Sequence, residues 1–454
     1  MAFFDGYFSQ VMAMYRNFLH LLQNRSPRSR AVPLIVRGAR QVGKSHTIKE
    51  YGQTSFESLA EVNLELNPAL HSCFASLNPT TICRELEALL KVKFIDGKTL
   101  LFIDELQTCP EALMALRAFK EQRPGLDVIA AGSLLEFALD ESTLRSFPVG
   151  RVGFAWMHPM SFSEFLRAMS EDSLLDALQS ATVEKPVSPA IHHKLLELVR
   201  TYYVIGGMPE VVDTFRVTGS YLDAKQVQAR IFMGYVADFV KYGRRYDYRK
   251  LQTILSSVPR LVGEQIKYTR FDPDVRARDL KQPLLDLEKA GLIRLVRATT
   301  ANGVPLGAGE REGKFKAQFL DIGLMLNALG LNLGSMPLED ALFANEGSLA
   351  EQFVGQELLV NESPDVAPGL YYWSREAAGS SAEVDFVIAR GDAVIPVEVK
   401  AGKTGTMRSL GLFMKEKKSR VGVRISQQPL SLHGAILSVP FYMCSQIHRL
   451  LDAG

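Results

Sequence analysis

From Val32 to about Val149, short runs of aliphatic and β-branched residues (PLIV, LLFI, DVIAA) alternate with stretches whose apolar positions recur at helical spacing. That alternation predicts parallel strands joined by crossover helices, an α/β domain. Residues 161 to 240 keep a helical period, broken by the turn signal GGMP at Gly206 to Pro209, and predict a helical connector. Between 248 and 325, shorter helical patterns lead into ARDLKQPLLDLEKAGLIRLVRAT, where an amphipathic helix stops at Gly291 and runs into a strand. A winged-helix segment fits that order, with the Gly-rich ANGVPLGAGEREGKF as its wing or loop. From about Glu346, a helix precedes the strands YYW, EVDFVIA and AVIPVEVKA, which predict a second α/β unit. The expected division is 1–160, 161–247, 248–330 and 331–454.

The opening stretch MAFFDGYFSQVMAMYRNFLHLL is apolar but interrupted by Asp5, Gln10 and Arg16, and lacks a signal peptide's basic start and small-residue cleavage site. It reads as a packed amphipathic helix. No run of eighteen apolar residues occurs, so no transmembrane helix and no membrane partner are expected.

Composition adds limits rather than direction. A chain of 454 residues implies two to four domains. Its 52 basic and 50 acidic side chains leave a net charge of +2, which neither demands nor excludes a nucleic-acid partner. Cys73, Cys83, Cys109 and Cys444 lack the paired spacing of a zinc site or disulfide framework, and a reducing, cytoplasmic location is the simplest expectation.

The sharpest chemical signal is LIVRGARQVGKSHTIKEY, a strand, then Gly38, Ala39, Arg40, Gln41, Val42, Gly43, Lys44 and Ser45, then a helix beginning near His46. It matches GxxxxGK[ST] in the required setting, a P-loop for ATP. The two glycines let successive backbone N–H groups surround phosphate oxygens, Lys44 reaches the β- and γ-phosphates, and Ser45 ligates Mg2+. The run KTLLFIDEL ends in Asp104 and Glu105 at a strand tip, where Asp104 holds the metal and Glu105 polarises the attacking water. The plain alternative is a strand capped by solvated acids. Ser133, after DVIAAG, is placed to sense the γ-phosphate or to cap the next helix. Arg151, in FPVGRVGF, fits an arginine finger given by a neighbouring subunit, or a structural salt bridge.

Taken together, GARQVGKS, LLFIDELQ, AAGSLLEF, HPMSFSEFL, YYVIGGMPEVV, FLDIGL and IPVEVKAG give the chain a resemblance over almost its full length to a prokaryotic AAA+ ATPase family. That family is related to the archaeal-type and STAND ATPases and carries a C-terminal domain of unknown function. The resemblance implies a winged-helix segment after the ATPase and a terminal region similar to the PD-(D/E)XK nuclease fold. It also implies a ring or dimer, because an arginine finger usually comes from a neighbour.

Near the C-terminus the residues speak for themselves as well. Asp385 in SAEVDFVIA is followed, after a turn at Gly391 and Asp392, by Glu398 and Lys400 in IPVEVKAG. Residues two apart on a strand face one side about 7 Å from each other, and Asp385 on the partner strand can join them. Two carboxylates suit Mg2+ or Mn2+, and Lys400 suits water activation at a phosphodiester. Glu357 matches the first-helix acidic residue of such nucleases, and Glu383 is a further ligand or simply exposed. Against this stands an ion pair of Lys400 with Glu398, or a catalytically inert binding platform. KYGRRYDYRK (Lys241 to Lys250), KYTRFDPDVRARDLK with Arg278 and Lys281, and KEKKSR (Lys415 to Arg420) are basic stretches suited to DNA phosphates or to solvated surface. The expectation is an ATP-hydrolysing protein coupled to a metal-dependent nuclease-like domain acting on DNA. Its rivals are a signalling or scaffold ATPase that binds a protein partner through an inactive C-terminal domain, and a DNA translocase without cleavage.

Overall fold

The structure is a computed structural model that describes residues 14–26, 32–132, 150–242, 248–330, 346–375, 382–402 and 407–452; elements are numbered in chain order within them. A first sheet is built from β1 (Leu34–Arg37), β2 (Ser58–Asn63), β3 (Thr99–Asp104), β4 (Asp127–Ala131) and β5 (Gly153–Trp156). Its order is β2-β3-β4-β1-β5 and every pairing is parallel. Strands β3 and β4 are buried along their whole length, which is why TLLFID and DVIAA read as near-continuous apolar runs. Alternate residues feed two layers: Leu34, Val36, Leu100 and Phe102 pack into one core, Ile35, Leu101 and Ile103 into the other.

Around this sheet lie α1 (Asn17–Gln23), α2 (Lys44–Ser55), α3 (Pro79–Leu90) and α4 (Pro110–Gln122). The Asn78 side chain accepts from the Thr80 and Thr81 amides, with Pro79 at the first helical position, so α3 starts where its first N–H groups find an acceptor. Helix α1 buries Phe18, Leu19 and Leu22, as the amphipathic reading of the opening stretch expects; residues 1–13 lie outside the described residues.

The helical connector comprises α5 (Phe162–Ala168), α6 (Asp172–Ser180), α7 (Pro189–Ile205), α8 (Pro209–Thr218) and α9 (Tyr221–Tyr242). A capping box between Ser161 and Glu164 opens α5. Helix α7 stops at Gly206, whose φ of 74° sits beside the buried Asp321 carboxylate; a Cβ there would stand 2.1 Å from Asp321 Oδ1. The GGMP turn therefore needs its first glycine for both backbone and space.

The second half contains α10 (Tyr248–Leu261), α11 (Ala277–Lys289), β6 (Ile293–Thr299), β7 (Glu310–Phe319) and α12 (Ile322–Ala328), then α13 (Glu346–Val360), β8 (Leu370–Ser374), β9 (Glu383–Arg390) and β10 (Ala393–Lys400). It ends with α14 (Arg408–Lys417), β11 (Gly422–Ser426), β12 (Ser431–His433), β13 (Ile436–Pro440) and α15 (Ile447–Asp452). All eight of these strands form one mixed sheet, ordered β12-β13-β11-β10-β9-β8-β6-β7. Within 248–330 the helix that stops at Gly291 does run into a strand, β6, which pairs antiparallel with β7. Yet β6 also pairs in parallel with β8, Val296 opposite Leu370, so these strands share the sheet of the C-terminal region rather than standing apart from it. Local patterns give a strand its ends but not its lateral neighbour.

Helix α13 binds the elements around it with polar groups. Gln352 bonds both the N–H and C=O of Phe319, Gln356 accepts from Ile322 N, and Glu357 accepts from Phe162 N on α5. Among the described residues, no helix is long and apolar enough to cross a membrane. Cys73, Cys83, Cys109 and Cys444 are buried and unbridged.

Candidate functional site

The turn between β1 and α2 is shaped by residues that few side chains could replace. Gly38 has φ 145°, Gln41 φ 64° and Gly43 φ 96°. A Cβ at Gly38 would lie 2.2 Å from the Met157 carbonyl oxygen, so the glycine is required by space as well as by torsion. Lys44 is buried, and its ammonium donates to the carbonyls of Gly38 at 2.9 Å and Ala39 at 2.7 Å. Burial lowers it to about 8, against the opposing charges of Glu105 and Asp104. A buried ammonium resting on carbonyls alone is a group arranged to receive an anion.

Strand β4 lies between β1 and β3, so the tips bearing the loop and Asp104 are about 10 Å apart across one intervening strand. Asp104 is buried and accepts from Glu105 N at 3.1 Å; burial raises its pKa, against the Ser45 hydroxyl, which favours the charged form. Sequence expects Ser45 and Asp104 on one metal, and the fold brings both to one cleft. Glu105 follows in the left-handed region at φ 55°, with its carboxylate held by Gln107 Nε2 at 2.5 Å. These oxygens suit a hard cation, and the glycine cradle suits a phosphate chain. The cleft measures about 550 Å³ and is lined by Arg16, Arg40, Gln41, Gly43, Lys44, Ser45, His46, Asp104 and Glu105, with Gly132 at the β4 tip and Pro209, Glu210 and Asp213 of α8 opposite.

Two arginines tie the loop to the rest of the chain. Arg16 donates to Val42 O at 2.6 Å, to His158 O at 2.7 Å and to Glu164 at 3.1 Å. Arg40 grips Asp238 of α9 with one nitrogen on both carboxylate oxygens, at 2.7 and 2.6 Å, and its carbonyl accepts from Tyr235 at 2.7 Å. Gly291, where α11 stops, abuts the loop: a Cβ there would stand 3.4 Å from the Ala39 nitrogen.

Residues 30–166 match the family model for an AAA domain. They are an AAA-type P-loop ATPase domain. Residues 196–334 match a domain of unknown function (DUF8612), and residues 346–442 another (DUF4143). No curated protein matches the chain. Among solved structures, the Walker-type ATPase PABY2304 of Pyrococcus abyssi is similar at 14% identity and TM-score 0.44, over 70% of this chain and 96% of that one. The ORC2 protein of Aeropyrum pernix, in ADPNP and ADP complexes, is similar at 14% identity and TM-score 0.27, over 74% and 93%. The RuvB Holliday junction branch migration motor of Thermotoga maritima gives 17% identity and TM-score 0.24, over 62% and 87%. At identities and scores this low, none of them assigns a role to this chain.

Two sequence expectations for the AAA domain end differently. Ser133 lies outside the described residues. Arg151 stands just before β5, whose Gly153 pairs with Leu34, and therefore at the end of the sheet opposite its own phosphate loop. There it pairs with Glu121 at 3.2 Å, half-exposed, which is the salt-bridge alternative.

The second cluster, away from the AAA domain, holds a surprise. Lys400 Nζ donates to Glu398 at 2.6 Å, and Asp385 accepts from Val399 N at 2.8 Å, so the three residues read from sequence do meet. Glu357 does not join them. It faces the connector, accepting from Phe162 N at 2.8 Å, and burial pushes it up to about 7. The helix residue that reaches Asp385 is Glu351. Six residues along a helix rotate a side chain by about 600°, leaving it roughly 120° away, so one helix buries two acids against two different partners.

Amid these carboxylates lies Lys316 of β7, only 2% exposed, with its ammonium 2.6 Å from Glu383, 3.3 Å from Glu351 and 3.9 Å from Asp385. Burial pulls that ammonium down, but Glu351, Asp385 and Glu383 together hold it above its ordinary value. Burial and then the Asp385 charge raise Glu351 to about 8 and Glu398 to about 7. Among the described residues, no group of three or more His, Cys, Asp or Glu is arranged to hold a metal ion. As they stand, Asp385, Glu398 and their neighbours do not fit Mg2+ or Mn2+.

Two basic side chains of α11 are paired with acids. Lys281 pairs with Glu312 at 3.4 Å and Arg278 with Asp279 at 3.6 Å, both on the exposed face of α11. Residues 243–247 of KYGRRYDYRK lie outside the described residues. Sequence reasoning missed Arg16, Asp238, Lys316 and Glu351; the one visible signal was a lysine inside the otherwise burial-competent run FKAQF.

Proposed function

We propose that the protein is a nucleotide-driven switch: its AAA domain binds and hydrolyses ATP, and the nucleotide state is passed to the connector and the second sheet. Gly38 to His46 wrap the phosphates, Lys44 leaves its loop carbonyls for the β- and γ-phosphates, Ser45 and Asp104 hold Mg2+, and Glu105 orients the attacking water. Magnesium, when bound, supplies charge neutralisation on the phosphate oxygens. The observation that carries this reading is Arg40: a residue of the phosphate loop itself grips Asp238 on α9, so a loop that rearranges around a triphosphate pulls on a helix of the connector. Arg151 is retained only as a candidate finger for a neighbouring copy, since its partner within the chain is an exposed pair.

For the second half, the meeting of Asp385, Glu398 and Lys400 supports kinship with a nuclease core, while Lys316 among the same carboxylates favours a binding platform over a cleaving one. DNA is kept as the candidate partner, since the ion pairs of Arg278 with Asp279 and of Lys281 with Glu312 are exposed ones that a phosphate can displace. The test combines four measurements on the full chain: nucleotide binding by calorimetry, ATP turnover, its change on adding linear, branched or single-stranded DNA, and the length of that DNA afterwards. Turnover with intact DNA supports a switch. Absence of nucleotide binding by calorimetry sinks it, and metal-dependent shortening of DNA restores the nuclease.

A further inference from the structure

The carboxylate cluster of Glu351, Glu383, Asp385 and Glu398 has the composition of a divalent-cation site and the geometry of something else. A hard cation needs several oxygens converging at about 2.0 to 2.6 Å with lone pairs free. Here several of those oxygens are already taken by ammonium and amide groups. Lys316 takes Glu383 at 2.6 Å and Glu351 at 3.3 Å and stands 3.9 Å from Asp385; Val399 N takes Asp385 Oδ2; Lys400 takes Glu398 Oε1. Glu398 Oε2 is a fully buried acceptor with no hydrogen-bond partner among the described residues, and a single oxygen holds no divalent ion.

We infer that Lys316 is the resident cation of this cluster, its ammonium standing in the space that a divalent metal would have to enter. The placement is built in rather than incidental. Lys316 sits in the second strand of the β6–β7 hairpin, within one residue of Phe315 and Ala317, both in the core; its own 2% exposure leaves it no route to solvent, and the Tyr372 ring lies 5.5 Å away. A buried ammonium with carboxylates on several sides replaces the charge that a metal would bring, and unlike a metal it cannot be exchanged or chelated. A lone lysine also cannot polarise two oxygens of a phosphodiester at once, which is the work a metal does in hydrolysis. The binding-platform reading is deepened by this inference, which rests on it; the two fail separately.

The test is Mn2+ binding to the full chain without nucleotide, followed by the paramagnetic signal of free Mn2+. The wild type takes up no Mn2+ that Asp385→Asn abolishes. Lys316→Ala opens the cluster and gains one Mn2+ per chain, lost again when Asp385→Asn is added, whereas Lys316→Arg gains none. Wild-type Mn2+ binding that disappears in Asp385→Asn overturns the inference, as does a folded Lys316→Ala that gains nothing. Should Lys316→Ala not fold, the wild type against Asp385→Asn decides alone. Cleavage of DNA by a wild type that binds no Mn2+ at the cluster would sink the platform reading and leave Lys316 where it is.

Discussion

The guanidinium of Arg40, inside the phosphate loop, is clasped by the carboxylate of Asp238, which lies 198 residues later on α9. No other described contact joins the loop and the connector so directly through charge. Asp238→Ala is expected to cost about 1 kcal/mol of stability, since the pair is partly screened. It should leave nucleotide binding in place and abolish any nucleotide-dependent change in hydrogen exchange along α9. Unchanged exchange behaviour in the variant would remove Arg40 as the link.

Lys44→Ala should eliminate ATP binding by calorimetry while the melting curve stays cooperative. Glu105→Gln should bind ATP as the wild type does and turn it over on the order of 100-fold more slowly, the loss of one positioned base. Equal turnover in Glu105→Gln would assign water activation elsewhere.

Burial lowers Lys44 to about 8, and a bound triphosphate favours its charged form. Affinity for ATP is therefore full below pH 8 and falls as pH rises through it, by up to about tenfold per unit until the bound-state pKa is reached. Calorimetric titrations at pH 7 and pH 9 check the sign.

Glu357 titrates at about 7 in the fold, above the ordinary carboxylate value, chiefly through burial. A raised acid favours the protonated form, so its contribution is complete below the unfolded value near 4.3 and is lost as pH climbs through 7. Glu357→Gln should flatten that decline and exceed the wild type at pH 8 by on the order of 1 to 3 kcal/mol. Denaturant midpoints at pH 5 and pH 8 measure it; parallel curves for the two proteins refute it.

Much of the AAA domain was legible beforehand because its signals are local. A strand buried on both faces reads as an apolar run, and a backbone that must curl reads as glycine, so LIVRGARQVGKS and LLFIDE showed where the loop and the acid-tipped strand lie. The Asp385, Glu398 and Lys400 grouping was legible too, through a hairpin turning at Gly391, φ 59°. What stayed hidden was lateral. Which helix face Glu351 or Glu357 presents depends on neighbours on both sides of α13, and nothing local tells two buried acids apart. Lys316 reaches its carboxylates across a sheet whose β6–β8 pairing spans more than seventy residues of chain, a register that no local periodicity encodes.

Gly206→Ala probes another distant meeting. The added methyl would strike Asp321, whose carboxylate accepts from Gly207 N at 2.6 Å, and the backbone there is left-handed. A loss on the order of 2 to 4 kcal/mol is expected from strain and overpacking together. A melting temperature unchanged from wild type would show that the turn yields.

The parallel seam between β6 and β8 also governs how this chain can be cut. Severing it near residue 330 would strip a bonded neighbour from each piece, exposing two raw borders of N–H and C=O groups ready to seize any passing strand. Fragments ending there should clump rather than behave as modules, and a cell that needs the second half has to make it whole.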